Sequence, residues 1–245
     1  MCGIGAVFNN PNAKRILEDS LKKVRHRGKK PLEIVSGSGF AIGANRLPIV
    51  DRINATQPAR NESGSLLCVF NGEAYNFQDL KRSLEKKGHK FRTNSDTECL
   101  VHLFEEHGES MVHLLDTEMC AFVIYDQEKD EYFAVRDRIG VKPLYWARAD
   151  GSIFFSSEMK QLSQLSEIDE ILLVPPGHFV RNGKLVKYSS LIEKKGTIDD
   201  DPKEIAKTLR EQLDAAVKKR VQTDLPVGVF LSGGIDSTSI LALAR

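Results

Sequence analysis

Short runs rich in β-branched and aromatic residues recur through the first two-thirds of the chain, at Ile4–Phe8, Phe40–Gly43, Leu66–Phe70, Ala121–Tyr125, Tyr132–Val135 and Ile153–Phe155. Such runs predict strands. Turn clusters separate several of them. Asp126–Asp130 and Asp150-Gly151 each lie between two runs, and Asn182-Gly183 is the strongest local hairpin signal in the chain. Antiparallel pairing is therefore expected over parallel βαβ units. Three stretches carry a helical period instead. Ile16, Leu17, Leu21 and Val24 form one. Phe77, Leu80 and Leu84 follow Asn76 as a cap and end at Gly88, and Leu100, Leu103 and Phe104 follow the capping-box spacing Ser95-Asp-Thr-Glu98 before Gly108. Helices outside antiparallel sheets predict an α+β layered domain over residues 1–191.

The pattern changes after Leu191. Residues 192–201 are charged and poor in apolar side chains, as expected of a linker. Asp201-Pro-Lys-Glu204 then reads as a helix start, with Ile205, Leu209, Leu213 and Val217 as an apolar stripe. Past Pro226, Val227–Leu231 is a continuous apolar run of the buried parallel-strand type. Ser232-Gly-Gly-Ile-Asp-Ser237 joins it to a last helical run, in which the 245-residue chain ends without a stop signal.

Composition narrows the function classes. Thirty-five Lys and Arg against thirty-four Asp and Glu leave a formal charge of +1, which argues against a surface built for nucleic acid or anionic lipid. No apolar run reaches the roughly eighteen residues of a membrane helix, and no signal-peptide pattern opens the chain. Cys2, Cys68, Cys99 and Cys120 are too few and scattered for a disulfide framework or a paired zinc motif. A reduced, cytoplasmic protein is expected. His89, His102, His107, His113 and His178 show no recurring ligand spacing, so no metal held by protein side chains alone is expected. The basic run Lys22–Lys30 lacks interleaved aromatics and reads as a solvated helix end and loop.

The candidate chemistry begins at Cys2. Removal of Met1 would place a thiol and a free α-amine on one residue, and an amine of pKa about 7.7–8.0 can act as the thiol's base. Taken alone, Cys2 reads first as simply the second codon. Further along stand Arg25-His-Arg-Gly28, Asn45-Arg-Leu-Pro-Ile-Val-Asp51, Asn71-Gly-Glu73 with Tyr75-Asn76, and Ser95-Asp-Thr-Glu98. Singly, these read as turns, caps or surface charge. In this order they resemble the class II, N-terminal-nucleophile glutamine amidotransferases over most of residues 1–190. Lys29-Lys30 replaces the family's usual Pro-Asp, and a usual glycine is missing at Thr117 or Glu118.

The resemblance implies an N-terminal-nucleophile-type αββα sandwich of antiparallel sheets. It implies Cys2 as nucleophile and the Asn71 side chain with the Gly72 N–H as the oxyanion hole. Arg46 would hold the glutamine α-carboxylate by a forked pair. Asp96 and Glu73 would take the α-ammonium, and backbone groups of Leu47, Pro48, Ile49 and Val50 would complete the pocket. Glycine at 72 would suit a backbone amide that must face the reacting carbonyl unobstructed.

The loop at 232–237 lacks the Gly-Lys-Ser/Thr ending of a Walker motif. By itself it reads equally as an anion nest or a serine-capped turn. It resembles the pyrophosphatase-type loop of carboxylate-adenylating enzymes. There Leu231 lies by the adenine or ribose, Ser232, Gly233, Gly234 and Ser237 meet phosphate oxygens, and Asp236 helps hold Mg²⁺. With the motifs around Val135–Tyr145, Phe155–Lys160 and Pro175–His178, the layout resembles the asparagine synthetase family. Residues 202–245 would then be the first β-loop-α of an α/β adenine-nucleotide domain, too little to bury its sheet. The implied partners are glutamine, aspartate and ATP with Mg²⁺; no nucleic acid and no membrane are expected, and a homodimer is compatible. A free-standing glutaminase, an amidotransferase for another acceptor, and a non-catalytic module of the same fold are the alternatives.

Overall fold

The computed structural model describes residues 1–163, 165, 166, 168, 170–191, 201–221, 223 and 225–244. The chain divides into two compact units, Met1–Leu191 and Ile192–Arg245. The first runs β1 (Gly3–Phe8), α1 (Ala13–Lys22), β2 (Leu32–Gly37), β3 (Phe40–Asn45), β4 (Ala59–Arg60), β5 (Leu66–Gly72), α2 (Phe77–Lys86), α3 (Asp96–His107), β6 (Cys120–Asp126), β7 (Glu131–Arg136), β8 (Tyr145–Ala149), β9 (Ser152–Ser156), β10 (Ile171–Leu173), β11 (His178–Arg181) and β12 (Lys184–Lys187). The strands form two six-stranded sheets, ordered β10-β8-β9-β1-β3-β2 and β12-β11-β7-β6-β5-β4. The observed pairs are antiparallel.

Side-chain alternation along the strands builds four layers. Ile4, Ala6, Phe8 and Ile42 of one sheet meet Leu67, Val69 and Val123 of the other in a central core. Val7, Ala41 and Phe154 point the opposite way, onto Leu17 and Leu21 of α1. On the far side Cys68, Phe70, Phe122 and Ile124 pack with Leu84 of α2 and Leu100 and Leu103 of α3. Strands buried on both faces have no polar face to show, which is why their sequences are continuous apolar runs. Each such large side chain leaving water contributes about 1.5–3 kcal/mol.

The predicted hairpins form where expected. Asp130, the Asp150-Gly151 pair and the Asn182-Gly183 pair all adopt positive φ, joining β6 to β7, β8 to β9 and β11 to β12. Two caps differ from expectation. Asn76 makes no side-chain cap to α2. Its Nδ2 donates to Leu114 O at 2.9 Å and its Oδ1 accepts from Asp116 N at 3.0 Å, tying the 114–116 turn to the helix start. Ser95 does accept from Glu98 N, but Glu98 turns its carboxylate to the Arg92 and Thr93 N–H groups, so only half of the capping box exists.

The second unit contains α4 (Pro202–Val221) and α5 (Ile235–Leu243). Asp201 Oδ1 accepts from Lys203 N at the start of α4. Most of the expected linker, residues 192–200, lies outside the described residues. The strand expected at Val227–Leu231 is not formed, and Phe230 and Leu231 are exposed. A parallel strand exists only through ladder bonds to a neighbour, and the described residues of this unit hold two helices and no strand.

Candidate active site at the start of β1

The segment before β1 is held from several sides. Ile4 N donates to Ser157 Oγ (2.9 Å), and Ile4 O accepts from Ser157 N (3.2 Å) and Gln161 Nε2 (3.3 Å). Arg27 Nε donates to Cys2 O at 3.0 Å while its Nη1 reaches Glu158 Oε1 at 2.9 Å. Burial works against the Glu158 carboxylate, but hydrogen bonds from Lys160, Arg27 and His26 hold its pKa at about 2. Thus the Arg25–Gly28 and Phe155–Lys160 motifs fix the backbone that carries the thiol. Gly28 is needed at this junction, because a Cβ there would stand 2.3 Å from Asn45 O. Lys30 N donates to Arg46 O, so the loop stays bonded despite its two lysines.

Cys2 opens onto a cleft of about 380 Å³. The cleft gathers Arg46, Leu47, Ile49, Val50, Asn71, Gly72, Glu73 and Asp96, which come from the end of β3, the end of β5 and the first turn of α3. Pro48 is not among its lining residues. Met1, Gln57, Phe70, Thr97, Met119 and Lys142 complete the wall. Leu47 N donates to Cys2 Sγ at 3.4 Å. Burial pushes the thiol's pKa up, and the Leu47 contact and the Arg46 charge oppose that.

Asn71 is fully buried, and neither its Oδ1 nor its Nδ2 has a hydrogen-bond partner. Gly72 supplies a donor beside it. Phe70 N donates to Gln57 Oε1 at 2.9 Å, on the edge of β5 away from β6. Strand alternation turns the Gly72 N–H to that same edge. Packing adds its own need for glycine here. A Cβ at 72 would stand 2.2 Å from Met119 O and 2.7 Å from Cys120 Cα, so it would strike β6 and the residue before it. Gly72→Ala is therefore expected to destabilise the fold by about 1–3 kcal/mol, read as a lower melting temperature.

Arg46 departs from the forked carboxylate clamp. Its Nη1 donates to Ala55 O (2.6 Å) and its Nη2 to Val50 O (2.6 Å) and Asp51 O (3.0 Å). The guanidinium thus stiffens the loop that walls the cleft, leaving two of its five donors for a ligand.

Asp96 lies buried at the start of α3, accepting from Ala74 N at 3.4 Å. Burial raises its pKa to about 6, against the Ala74 hydrogen bond and with help from Glu73. The unfolded chain releases this proton near pH 3.8, the folded chain near 6. Stability therefore falls as pH rises through that window and stays lower above it, by up to about 3 kcal/mol. Asp96→Asn should raise the melting temperature by about 6–12 °C above pH 6 and leave it unchanged below pH 4, in thermal melts across that range.

Gln57 and Lys142 are among the wall residues that escaped the sequence reading. Gln57 bridges Phe70 N and Thr97 Oγ1. Lys142 is buried, and desolvation lowers its pKa. It follows a turn organised by Asp137, whose carboxylate accepts from Ile139, Val141, Lys142 and Cys120 N–H groups. The Val135–Tyr145 motif held that signal, without a hint that its lysine reaches the cleft.

In the second unit, Ser232 Oγ and Ser237 Oγ are 3.1 Å apart at the start of α5, and Gly233 has φ +81°. Leu231, Ser232, Gly233, Gly234 and Asp236 are exposed there, with Ser237 half-buried.

A cysteine at the head of a strand in one of two packed antiparallel sheets, sharing a cleft with a buried carboxamide, points to the class of the protein. Residues 1–174 match the family described as glutamine amidotransferase domain, and the chain belongs to it. Residues 208–245 match the asparagine synthase family. Over its whole length the chain is 39% identical to glutamine-hydrolysing asparagine synthetase 3 of Arabidopsis thaliana and 39% identical to that of Zea mays. It spans 42% of the length of each. A probable asparagine synthetase of Dictyostelium discoideum is 35% identical over 99% of this chain and 45% of its own. The glutamine phosphoribosylpyrophosphate amidotransferase of B. subtilis shares the fold, with a TM-score of 0.63 at 21% identity over 99% of this chain and 64% of that one.

Proposed function

We propose that the first unit hydrolyses glutamine at Cys2 and that the ammonia serves asparagine synthesis. The observation that carries the reading is the unpartnered, buried Asn71 carboxamide in the same cleft as Cys2 Sγ. Once Met1 is removed, the α-amine of Cys2 takes the thiol proton and the thiolate attacks the side-chain amide of glutamine. Asn71 Nδ2 and Gly72 N–H stabilise the oxyanion. The C–N bond breaks, the α-ammonium returns the proton to the leaving ammonia, and water releases glutamate from the thioester. Asp96 and Glu73 hold the substrate's α-ammonium. That contact gives a purpose to two carboxyl groups whose pKa values burial has raised, since a bound cation restores the charged form. Arg46 offers its remaining donors to the α-carboxylate.

The 232–237 loop fits a nucleotide phosphate on the chemistry of its donors. Gly233 and Gly234 have no atom closer than 3.6 Å to where a Cβ would stand, and Ser232, Ser237 and the first N–H groups of α5 sit around them. Asp236 would hold Mg²⁺ there. When bound, ATP supplies the activation of an aspartate carboxylate for attack by ammonia. Because 227–231 forms no strand, the chain alone is expected to be a glutaminase. The test supplies glutamine, ATP, Mg²⁺ and aspartate and measures ammonia, asparagine and pyrophosphate. Cys2-dependent ammonia without asparagine is expected of this chain. Absence of ammonia overturns the reading.

A further inference from the structure

A second cluster of chemically able side chains lies outside the cleft, where Glu62, the loop after α2 and the second half of α3 converge. Glu62, His89, His102 and Glu105 offer one ligand-type atom each, all within 4.8 Å of one another. His89 Nδ1 is 3.4 Å from Glu62 Oε1 and 3.7 Å from Glu105 Oε2. His102 Nδ1 is 3.3 Å from Glu62 Oε2 and 3.6 Å from Glu105 Oε2. These separations are longer than the N–H···O bonds of about 2.7–3.2 Å that imidazole and carboxylate make directly. They equal or exceed the edges of a zinc tetrahedron, about 3.3–3.4 Å for bonds of about 2.0–2.1 Å, so the four side chains would draw in to close on an ion.

His102 is the decisive residue. It is 0% exposed, and neither ring nitrogen has a hydrogen-bond partner. Its nearest carboxylate on the Nε2 side, Glu98 Oε1, is 3.9 Å away. Buried polar atoms are ordinarily paired, and an ion at the centre of the cluster pairs Nδ1. The surroundings already orient the other ligands. Asn61 Nδ2 donates to Glu105 Oε1 at 3.2 Å and Lys90 N to Glu62 Oε1 at 2.8 Å, leaving each Oε2 for the centre. Glu106 Oε1 stands 3.1 Å behind His89 Nε2, the carboxylate–histidine arrangement that presents Nδ1 to a metal. Lys87 pairs with the other oxygen of Glu106 at 2.6 Å rather than with the centre. A surface groove along Glu62, His89, Lys90 and Glu105 provides entry.

We propose that Glu62, His89, His102 and Glu105 form a zinc site with two imidazole Nδ1 and two carboxylate ligands. It overrides the expectation, drawn from spacing along the chain, that no metal is held by protein side chains alone. The ligands come from three segments, the loop before β5, the loop after α2, and α3, which only the fold brings together. Two carboxylates and two neutral imidazoles balance the charge of a divalent ion, and nitrogen and oxygen donors in this number suit zinc. The ion acts as a clamp on α3, the helix whose first residue, Asp96, lines the cleft.

The test uses the untagged full chain, stripped with chelator, both unmodified and with Cys2→Ala so that the cleft thiol cannot compete. Zinc is titrated against a chromophoric chelator at pH 7.5. One equivalent bound with micromolar or tighter affinity in both forms is expected, with a melting temperature that rises with zinc concentration. His89→Ala and Glu105→Gln, at less buried positions than His102, should each weaken binding at least about 100-fold while the metal-free melting temperature stays within a few degrees. X-ray absorption of the loaded protein should show nitrogen and oxygen neighbours only. No stoichiometric binding, binding indifferent to both substitutions, or sulfur bound to the zinc would overturn the proposal; the first result would leave an imidazolium as the cation these carboxylates hold. None of these readouts depends on glutaminase turnover.

Discussion

Cys2→Ala is expected to lower ammonia release from glutamine by at least about 10³-fold, with the melting temperature little changed. The loss should be that large because none of the other three cysteines can replace the thiol. Cys68, Cys99 and Cys120 are buried and stand outside the cleft lining. Burial pushes all three thiols up, Cys99 to about 12, so they supply no thiolate at neutral pH. Cys2 differs in two respects: it faces the cleft, and its sulfur accepts the Leu47 N–H, a contact that favours the anion. The same reasoning covers the chain that keeps Met1. Its terminal amine then lies one residue too early, and the nitrogen of Cys2 is an amide with no basicity. Mass spectrometry of the N-terminus alongside the assay separates an unprocessed chain from an inactive site. Ammonia release by Cys2→Ala within tenfold of the unmodified chain would refute the assignment of Cys2 as nucleophile.

What was legible in the sequence was local. Asn182-Gly183 and Asp150-Gly151 report their hairpins because a two-residue turn at positive φ is decided by the two residues themselves. The six apolar runs report strands for a similar reason, although β2, at a sheet edge and only half-buried, lacks their density of apolar side chains. The cleft was readable at Cys2, Arg46, Asn71 and Asp96 because a family motif surrounds each. It was not readable at Gln57 or Lys142, whose place depends on how β4 precedes β5 and on the turn after Asp137. Asn76 shows the limit of local rules: a residue suited to capping its own helix instead bonds to residues 114 and 116. Val227–Leu231 shows it from the other side, since an apolar run becomes a strand only when a partner strand is present. The Glu62–His89–His102–Glu105 cluster was not legible, because only His102 and Glu105 share an element, and Glu62 and His89 reach them from the loops before β5 and after α2.

Asn71→Leu should separate catalysis from stability by moving them in opposite directions. Leucine has nearly the branched shape of asparagine but neither polar atom. In the folded chain both polar atoms of Asn71 are buried without partners, and an unmet buried group costs about 1–3 kcal/mol. Replacing it with an apolar isostere removes that cost, so the melting temperature should rise by about 2–8 °C for a chain of this size. In the proposed mechanism the same change removes a donor aimed at the charge that develops on the glutamine amide oxygen. Loss of one such donor lowers kcat by about 10²–10³-fold, with KM changed far less, because the interaction is made chiefly in the transition state. A purely structural asparagine would give the reverse pattern, a lower melting temperature with kcat nearly kept. The residual turnover of the variant belongs to Gly72, whose N–H the substitution leaves in place on the open edge of β5. A variant that is more stable and equally fast would remove Asn71 from the oxyanion hole and leave the burden to the backbone alone.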